Sequence, residues 1–466
     1  MPPDSERIPP DVVTTSRPEV LTQTRGLKRE LGLGSAAAAV AGEVIAVGIF
    51  LTPAGMAKAL GSPMWLLIVW LAVAAMTVSG ALCYGELAGR FPMTGGTYVY
   101  LRECFGARTA FLYGWMSVLV MEPGLTAAFA TGLAGYAAYV LHWTRWEMKL
   151  GALVAIWLLC ILNMVSTKAS ASFLRWVTWL KFAVLGILVV WAIAFRLGNW
   201  SNFIPFVAHR PGSLPLAAGL SVALVSAYFS FGGWWDAAKI AGEVRDAEKT
   251  FPRALVIGVL SVTAVYISVS GVFWYLIPFE DVTSDQAFVA KAGAVMFGPA
   301  GGIVFAAIVV TCVLGSLAAV LMSSPRVYYA MAKDGLFFAG AAKTHPKYGT
   351  PARAVAIQSF LGSVLVLVGS FEQIVAYFLF VAVAFIGLTV AGLFVARRRN
   401  EPLGGAVATP GYPFTPLGFL ALTVTMLALL AAHNSREALL GSAIVLAGWP
   451  VYEWMTRNGH AKKAAR

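Results

Sequence analysis

The sequence is poor in charged residues. Only 12% of its 466 residues are charged, 59% are hydrophobic, and the mean hydropathy is +0.76. Soluble domains carry about twice that charged fraction, so the composition excludes a soluble enzyme and indicates a membrane protein. Lys and Arg outnumber acids by a formal net charge of +12, but they are scattered through short loops, which argues against nucleic acid as a partner.

Histidine and cysteine are also scarce. The five histidines fall in predicted loops or in the C-terminal tail, and no spaced His/Cys/Asp cluster is present. A membrane enzyme needs metal ligands or an activated nucleophile inside the bilayer, so we expect no enzyme, no metal ion and no cofactor. Cys83, Cys160 and Cys312 lie in apolar segments and Cys104 in a connecting loop, which makes a disulfide framework improbable.

Polar tails flank a long apolar region. Residues 1–33 lack the apolar core of a signal peptide and predict a disordered cytosolic tail, and residues 456–466 predict a second cytosolic tail. The asymmetry of Lys and Arg between alternate loops places both termini in the cytoplasm. About twelve apolar runs are long enough to cross ~30 Å of hydrocarbon. Their predicted limits are 34–60, 63–90, 107–141, 147–165, 171–197, 217–242, 252–278, 299–330, 352–370, 373–396, 414–433 and 437–455.

Glycines interrupt two of these runs, at 42–48 in the first and at 232–233 in the sixth. Inside lipid, broken helix backbone survives only where it lines a cavity or binds a ligand. Such a pair, one in each half, points to the substrate site of a secondary transporter. The plainer interpretation is that these glycines only permit close helix packing.

The spacing of the breaks predicts an inverted repeat. Five spans separate the two breaks, and an odd number reverses the direction of the second half relative to the first. We therefore expect two five-helix repeats, at 34–197 and 217–396, followed by a helix pair at 414–455. Each break exposes amides on one side and carbonyls on the other, an arrangement that suits the carboxylate and the ammonium of a free amino acid.

Several ordered motifs resemble those of the amino acid-polyamine-organocation transporter superfamily, and most of all its L-type amino acid transporter branch. The motifs occupy residues 42–53, 80–87, 91–103, 229–234, 242–254 and 410–416. The resemblance implies an all-α membrane protein with a LeuT-like 5+5 inverted repeat, broken helices 1 and 6, and transport by alternating access.

The resemblance also implies a substrate site. Amides around Val47 and Gly48 would hold the substrate carboxylate, and carbonyls near Val44, Ile45, Phe229 and Gly232 its ammonium. Phe229 matches an aromatic gate, although ordinary aromatic packing also accounts for it. Ala46 replaces a family glycine, and the large Trp235 would shrink the side-chain pocket. The predicted substrate-binding residues are Val44, Ile45, Ala46, Val47, Gly48, Phe229, Gly232, Gly233 and Trp235.

Lys181 lies in the middle of the fifth predicted span, where a lysine is expensive unless it has a partner. The resemblance places it where sodium-coupled relatives bind an ion, in contact with the first broken helix and with Ser316. It therefore implies transport without sodium, whereas snorkelling to the membrane surface is the plainer interpretation. Glu43 departs from the family's small or hydroxylated residue, and either pairs with Lys181 or carries a proton. Lys181, Glu43 and Ser316 are the predicted coupling residues.

Other acids lie in or beside the predicted spans. Asp236 has Lys239 three residues on, which predicts a helix-surface pair more than a role in substrate selection. Glu122 is expected to face a water-filled vestibule or the substrate. At the cytosolic face, acids and arginines predict a gate or a clasp between loops; they are Glu86, Glu103, Glu243, Arg90, Arg102 and Arg245.

These features predict a bacterial inner-membrane transporter, sodium-independent, that exchanges neutral amino acids by alternating access. A proton-coupled symporter, for neutral or cationic amino acids or amines, and an amino acid sensor that does not transport remain the alternatives. A channel fits poorly, since filters repeat one ring across several subunits. Its expected partners are the amino acid substrate and the lipid bilayer. Loop 142–149 contains no cysteine, so we expect no disulfide-linked accessory subunit.

Overall fold

The computed structural model describes residues 29–46, 48–282, 286–368, 371–403, 407–433 and 435–457. Every regular element in these ranges is helical, and the only strand-like pairing among them is a single bridge between Leu31 and Val244. Most of the predicted N-terminal tail, residues 1–28, and nearly all of the C-terminal tail, residues 458–466, lie outside the described residues.

The α-helices run in the following order. They are α1 Leu33–Val44, α2 Gly48–Leu60, α3 Pro63–Arg90, α4 Thr97–Phe105, α5 Ala107–Met116, α6 Glu122–Leu141, α7 Arg145–Val165, α8 Thr167–Ala194, α9 Leu216–Phe231, α10 Ala247–Leu276, α11 Gln286–Phe297, α12 Gly301–Ser323, α13 Pro325–Lys333, α14 Ala352–Val368, α15 Phe371–Arg398, α16 Phe414–His433 and α17 Ser435–Arg457. A π-helical turn, Ser117–Met121, joins α5 to α6, and a 3₁₀ segment, Asp236–Glu243, follows α9.

Length and composition make this a multi-pass membrane protein. Within the described residues, ten helical segments are long and apolar enough to cross a bilayer, and α1 and α14 are shorter apolar helices. A hydrogen-bonded helix satisfies its own backbone polar groups, which lipid cannot do. Many large apolar side chains accordingly remain on the outside of the bundle, such as Trp179 at 66% exposed and Val190 at 65%.

The two predicted interruptions are present. The first apolar run stops as a helix at Val44 and resumes at Gly48, with Ile45 and Ala46 in a bend. The second run stops at Phe231 and resumes at Asp236 as the 3₁₀ segment. Gly233 has a φ of +104°, a backbone conformation that residues with a Cβ rarely adopt. The glycines of the second run therefore end a helix, and they are not only sites of close packing.

Helix α1 lies at the centre of the bundle. It packs against α8, α10 and α12, while α2 packs against α9. A Cβ on Gly48 would lie 2.8 Å from the Cα of Ser230, so the start of α2 and the end of α9 meet at backbone distance. The two interrupted runs thus touch each other.

The chain before α1 is attached to the chain after the 3₁₀ segment. The backbone N–H groups of Glu30 and Leu31 donate to the carbonyl of Glu243 at 2.9 and 3.0 Å, and the N–H of Arg245 donates to the carbonyl of Leu31 at 2.8 Å. Leu31 is buried. The last residues of the predicted tail are therefore held against the bundle.

Two boundaries depart from the sequence prediction in an informative way. Helix α10 begins at Ala247, five residues before the predicted start at Pro252, and carries that proline in its second turn. In the second turn the missing N–H of proline leaves the carbonyl of Glu248, four residues earlier, without its helical donor, so the helix gives up one backbone hydrogen bond there. Cys104, predicted to lie in a loop, is buried on α4.

Candidate functional site

A narrow hollow lies between the two interruptions. Its volume is about 40 Å³, which is room for roughly three water molecules. Most of the predicted binding residues line it: Val44, Ala46, Gly48, Phe229, Gly232, Gly233 and Trp235. Ile45 directs its carbonyl to Lys181 instead, and Val47 lies outside the described residues. Phe229, the predicted gate, is half-buried on the wall of the hollow.

Tyr266 of α10 joins the two interrupted runs. Its hydroxyl is 2.7 Å from the carbonyl oxygen of Val44 and 2.8 Å from that of Ser230. The ring is held by edge contacts with Trp70 and Phe231, at centroid distances of 5.4 and 5.2 Å. The sequence analysis missed this residue. A buried tyrosine hydroxyl needs a partner, so a tyrosine in the middle of an apolar run was the available signal.

A second polar contact joins the runs beside Tyr266. The hydroxyls of Thr52 and Ser230 are 2.7 Å apart, and Thr52 also donates to the carbonyl of Gly48 at 2.9 Å. The hydroxyl of Thr52 thus binds a carbonyl in the first turn of α2. The N–H groups of that turn have no partner within the helix, as at every helix start. The N-terminus of α2, with its dipole, therefore faces the hollow.

Lys181 is fully buried and binds the end of α1. Its Nζ donates to the carbonyls of Gly42 at 2.9 Å and Ile45 at 2.6 Å, and to the hydroxyl of Ser316 at 2.9 Å. The predicted contact with the first broken helix and with Ser316 is present, and the side chain does not snorkel. A Cβ on Gly315 would lie 2.6 Å from Cε of Lys181, so this glycine makes room for the lysine.

Glu43 lines the hollow and is only 2% exposed. Of the two alternatives for Glu43, the pair with Lys181 is not formed, since the three donors of Lys181 bind two carbonyls and a hydroxyl. The hydroxyl of Ser323 lies nearby, but neither carboxylate oxygen of Glu43 meets hydrogen-bond geometry with any described residue. A buried acid in this condition is unusual in a folded protein.

The pair of Asp236 and Lys239 is buried, which corrects the prediction of a helix-surface pair. Lys239 contacts Asp236 and reaches Oε1 of Glu122 at 2.6 Å, and all three side chains are at most 1% exposed. Glu122 also accepts from Ser117 at 2.9 Å and from Ser324. It is packed in protein and does not face a vestibule. A π-helical turn lies just before Glu122, and such turns inside α-helices are frequent at functional sites.

Ion pairs gather at one end of the bundle. Glu86 binds Arg90 at 2.7 Å and Arg397 at 2.6 Å. Glu243 binds Arg326 at 2.7 Å, an arginine that the sequence analysis did not include in the predicted gate or clasp. These pairs tie the ends of α3, α15, α13 and the 3₁₀ segment together. Arg326 and Glu243 are 83 positions apart, so this partnership depends on how the helices pack and not on nearness in sequence.

Arg102, on α4, bridges two acids at the same end. It reaches Asp334 at 2.5 Å and Glu103 at 2.6 Å, so two residues of the predicted gate or clasp, Arg102 and Glu103, contact each other. Partial burial acts to lower the pKa of Arg102, but hydrogen bonds to Asp334 and Glu103 outweigh it and raise that pKa. The guanidinium therefore stays charged at every physiological pH.

Long apolar helices, with two interrupted runs around a mostly apolar hollow that Glu43 and Asp236 also line, define a multi-pass membrane protein. A model of the family described as amino acid permease matches residues 31–449, nine-tenths of the chain. The chain belongs to this amino acid permease family, and the resemblance to the amino acid-polyamine-organocation superfamily is confirmed. The family consists of transporters, and not of enzymes.

Similar proteins cover nearly the whole chain. The serine/threonine exchanger SteT of Bacillus subtilis (strain 168) is 28% identical over 94% of this chain and 99% of its own length. The human large neutral amino acids transporter small subunit 2 is 28% identical over 91% of this chain and 80% of its own. The mouse b(0,+)-type amino acid transporter 1 is 26% identical, over 89% and 85%.

Proposed function

We propose that this permease exchanges neutral amino acids across the bacterial inner membrane by alternating access and without sodium. One observation carries the proposal. The ammonium of Lys181 lies among the carbonyl oxygens of Gly42 and Ile45 and the hydroxyl of Ser316, a set of oxygen ligands of the kind that binds a small cation. The ammonium of Lys181 would occupy this position permanently, so no sodium ion would be needed there. The resemblance to the L-type branch and the exchanger among the similar proteins agree with this.

The proposal includes twelve spans and an inverted repeat. Each of the ten long segments supplies one span. The apolar helices α1 and α14 supply the first and the ninth span, which makes twelve. The repeats would be residues 34–197 and 217–396, with residues 414–455 as an added pair and both termini in the cytoplasm. The ion pairs of Glu86 and Glu243 would then close the cytoplasmic end.

The lining of the hollow indicates where each part of the substrate would bind. Its carboxylate would bind at the N-terminus of α2, at Gly48. Phe229 would close over the side chain. Trp235, only 5% exposed, fills much of the remaining wall, so the narrow hollow favours small neutral side chains over bulky ones.

We further propose that the permease works without a disulfide-linked subunit. All four cysteines are free and buried. None lies in loop 142–149, where the accessory partner of the mammalian relatives would attach. Purification under non-reducing conditions tests this, since a linked partner would shift the chain to a higher mass that a reductant reverses.

Counterflow in proteoliposomes tests the main proposal. The full-length protein is reconstituted, loaded with an unlabelled amino acid, and given labelled amino acids outside, with and without sodium. We expect saturable uptake that needs an internal substrate and is unchanged by sodium. Uptake into empty vesicles that does not saturate would indicate a channel, and binding without uptake a sensor.

A proton-coupled symporter is the second candidate, because the hollow carries two acids, Glu43 and Asp236. Either carboxyl is placed to bind a proton together with the substrate. An imposed pH gradient in empty, sodium-free vesicles separates the two mechanisms. Symport gives accumulation that collapses with an uncoupler, whereas obligatory exchange gives none.

A further inference from the structure

Most acceptors once expected to hold the substrate ammonium already have donors. The carbonyl of Ile45 accepts from Nζ of Lys181 at 2.6 Å and lies 2.8 Å from the hydroxyl of Ser316, which shares its single proton with the carbonyl of Gly42, also at 2.8 Å. The carbonyl of Val44 takes Tyr266, and that of Phe229 takes the N–H of Gly232 at 3.0 Å. The carbonyls of Val44 and Phe229 each keep one free lone pair. An α-ammonium group has three N–H donors, so these two acceptors do not satisfy it.

Glu43 offers what these carbonyls lack. Both of its oxygens are buried at the wall of the hollow, and within the described ranges neither has a hydrogen-bond partner. Its Cβ lies beside Gly233, since a Cβ placed on Gly233 would be 3.3 Å from it. The carboxylate therefore sits where the two interruptions face each other.

Charge points the same way. In this cluster three carboxylates, those of Glu43, Asp236 and Glu122, face the one ammonium of Lys239. Lys239 contacts Asp236 and Glu122, and the ammonium of Lys181 donates to the carbonyls of Gly42 and Ile45 and to the hydroxyl of Ser316. An unpaired carboxylate is costly in a protein interior, and a cation that enters the hollow relieves that cost.

From these observations we infer that Glu43 is the counter-ion of the substrate's α-ammonium group. The inference rests on the proposed function and adds a specificity-determining side chain to it. The substrate would lie between the N-terminus of α2, which attracts its carboxylate, and the carboxylate of Glu43, which binds its ammonium. A charge-assisted hydrogen bond of this kind is about twice as strong as one to a neutral carbonyl.

The experiment compares ligands that differ only in the ammonium group. L-Alanine and L-serine are titrated into the purified full-length protein beside their α-hydroxy analogues, L-lactate and L-glycerate. The variants are Glu43→Gln, which keeps size and removes charge, and Glu43→Ser, which restores a small hydroxylated residue. Glu280→Gln, at an exposed acid outside the hollow, is the control.

We expect both Glu43 variants to weaken amino acid binding by about 10- to 100-fold and to change binding of the hydroxy acids by less than about threefold. The preference for an ammonium would thus collapse, while Glu280→Gln keeps it. Equal losses for both ligand types, or undiminished amino acid binding, would overturn the inference. If Glu43→Gln does not fold, Glu43→Ser decides. A wild-type protein that folds yet binds no amino acid would instead refute the proposed function.

Discussion

The hydroxyl of Tyr266 lies 2.7 Å from the carbonyl oxygen of Val44, at the residue where α1 ends. The same hydroxyl is 2.8 Å from the carbonyl of Ser230, so the single proton of one phenol is shared between backbone carbonyls of both interrupted runs. Broken helices carry unpaired carbonyls, and these need donors when they are buried. Tyr266 therefore holds the two walls of the hollow in a fixed relation.

Tyr266→Phe removes this donor and keeps the ring contacts. We expect a loss of about 1–3 kcal/mol of stability, because two buried carbonyls lose the one donor that they share, together with weaker substrate binding. Thermal unfolding and substrate titration measure both. Tyr100→Phe is the matched control, since its hydroxyl is buried on α4 and finds no hydrogen-bond partner among the described residues. A larger loss in the control would contradict this account.

Lys181→Ala should reduce transport at least tenfold while leaving substrate binding detectable. The ammonium links α8 to the end of α1 and to Ser316, so its removal uncouples substrate binding from helix movement. Counterflow and equilibrium binding are measured on the same preparation. Lys168→Ala, at an exposed lysine of the same helix, should transport normally. Sodium-independent uptake that persists unchanged in Lys181→Ala would refute the coupling role.

Lys239→Met should destabilise the protein by about 3–5 kcal/mol, because it leaves Asp236 and Glu122 buried without their cation. Adding Glu122→Gln should recover part of this loss. Thermal unfolding of the single and double variants gives the comparison. Arg108→Met, which breaks an exposed pair with Glu453, should cost at most about 1 kcal/mol. No recovery in the double variant would argue against the triad.

Gly315→Ala should impair transport, because its Cβ would collide with Lys181 at 2.6 Å. The lysine is then pushed from the carbonyls that it binds. Gly186→Ala on α8 is the control, since nothing lies within 4 Å of the Cβ it would add, and alanine favours a helix by up to about 1 kcal/mol. Equal transport rates in the two variants would count against the packing argument.

Much of the architecture could be predicted from the sequence because lipid imposes strong rules. Apolar length predicts the helices, and glycine clusters in such runs predict the breaks at 45–46 and 232–235. The contact of Lys181 with Ser316 followed from the family resemblance, with burial of a lysine as its physical signal. Composition and local backbone preference are therefore enough to predict these features.

The partnerships across helices could not be read in this way. Lys239 and Glu122 are 117 positions apart, and Arg326 and Glu243 are 83 apart. In segments that are apolar all round, hydrophobic periodicity does not say which face meets which neighbour. The pairing of Asp236 with Lys239 looked like an ordinary surface pair because i,i+3 spacing carries no information about burial.

The short backbone pairing of residues 30–31 with residues 243–245 has a mechanical consequence. It joins the start of α1 to the end of the 3₁₀ segment through main-chain hydrogen bonds. Helix α1 and the 3₁₀ segment would then move together. A displacement of the chain just before α1 would therefore be transmitted to both walls of the hollow at the same time.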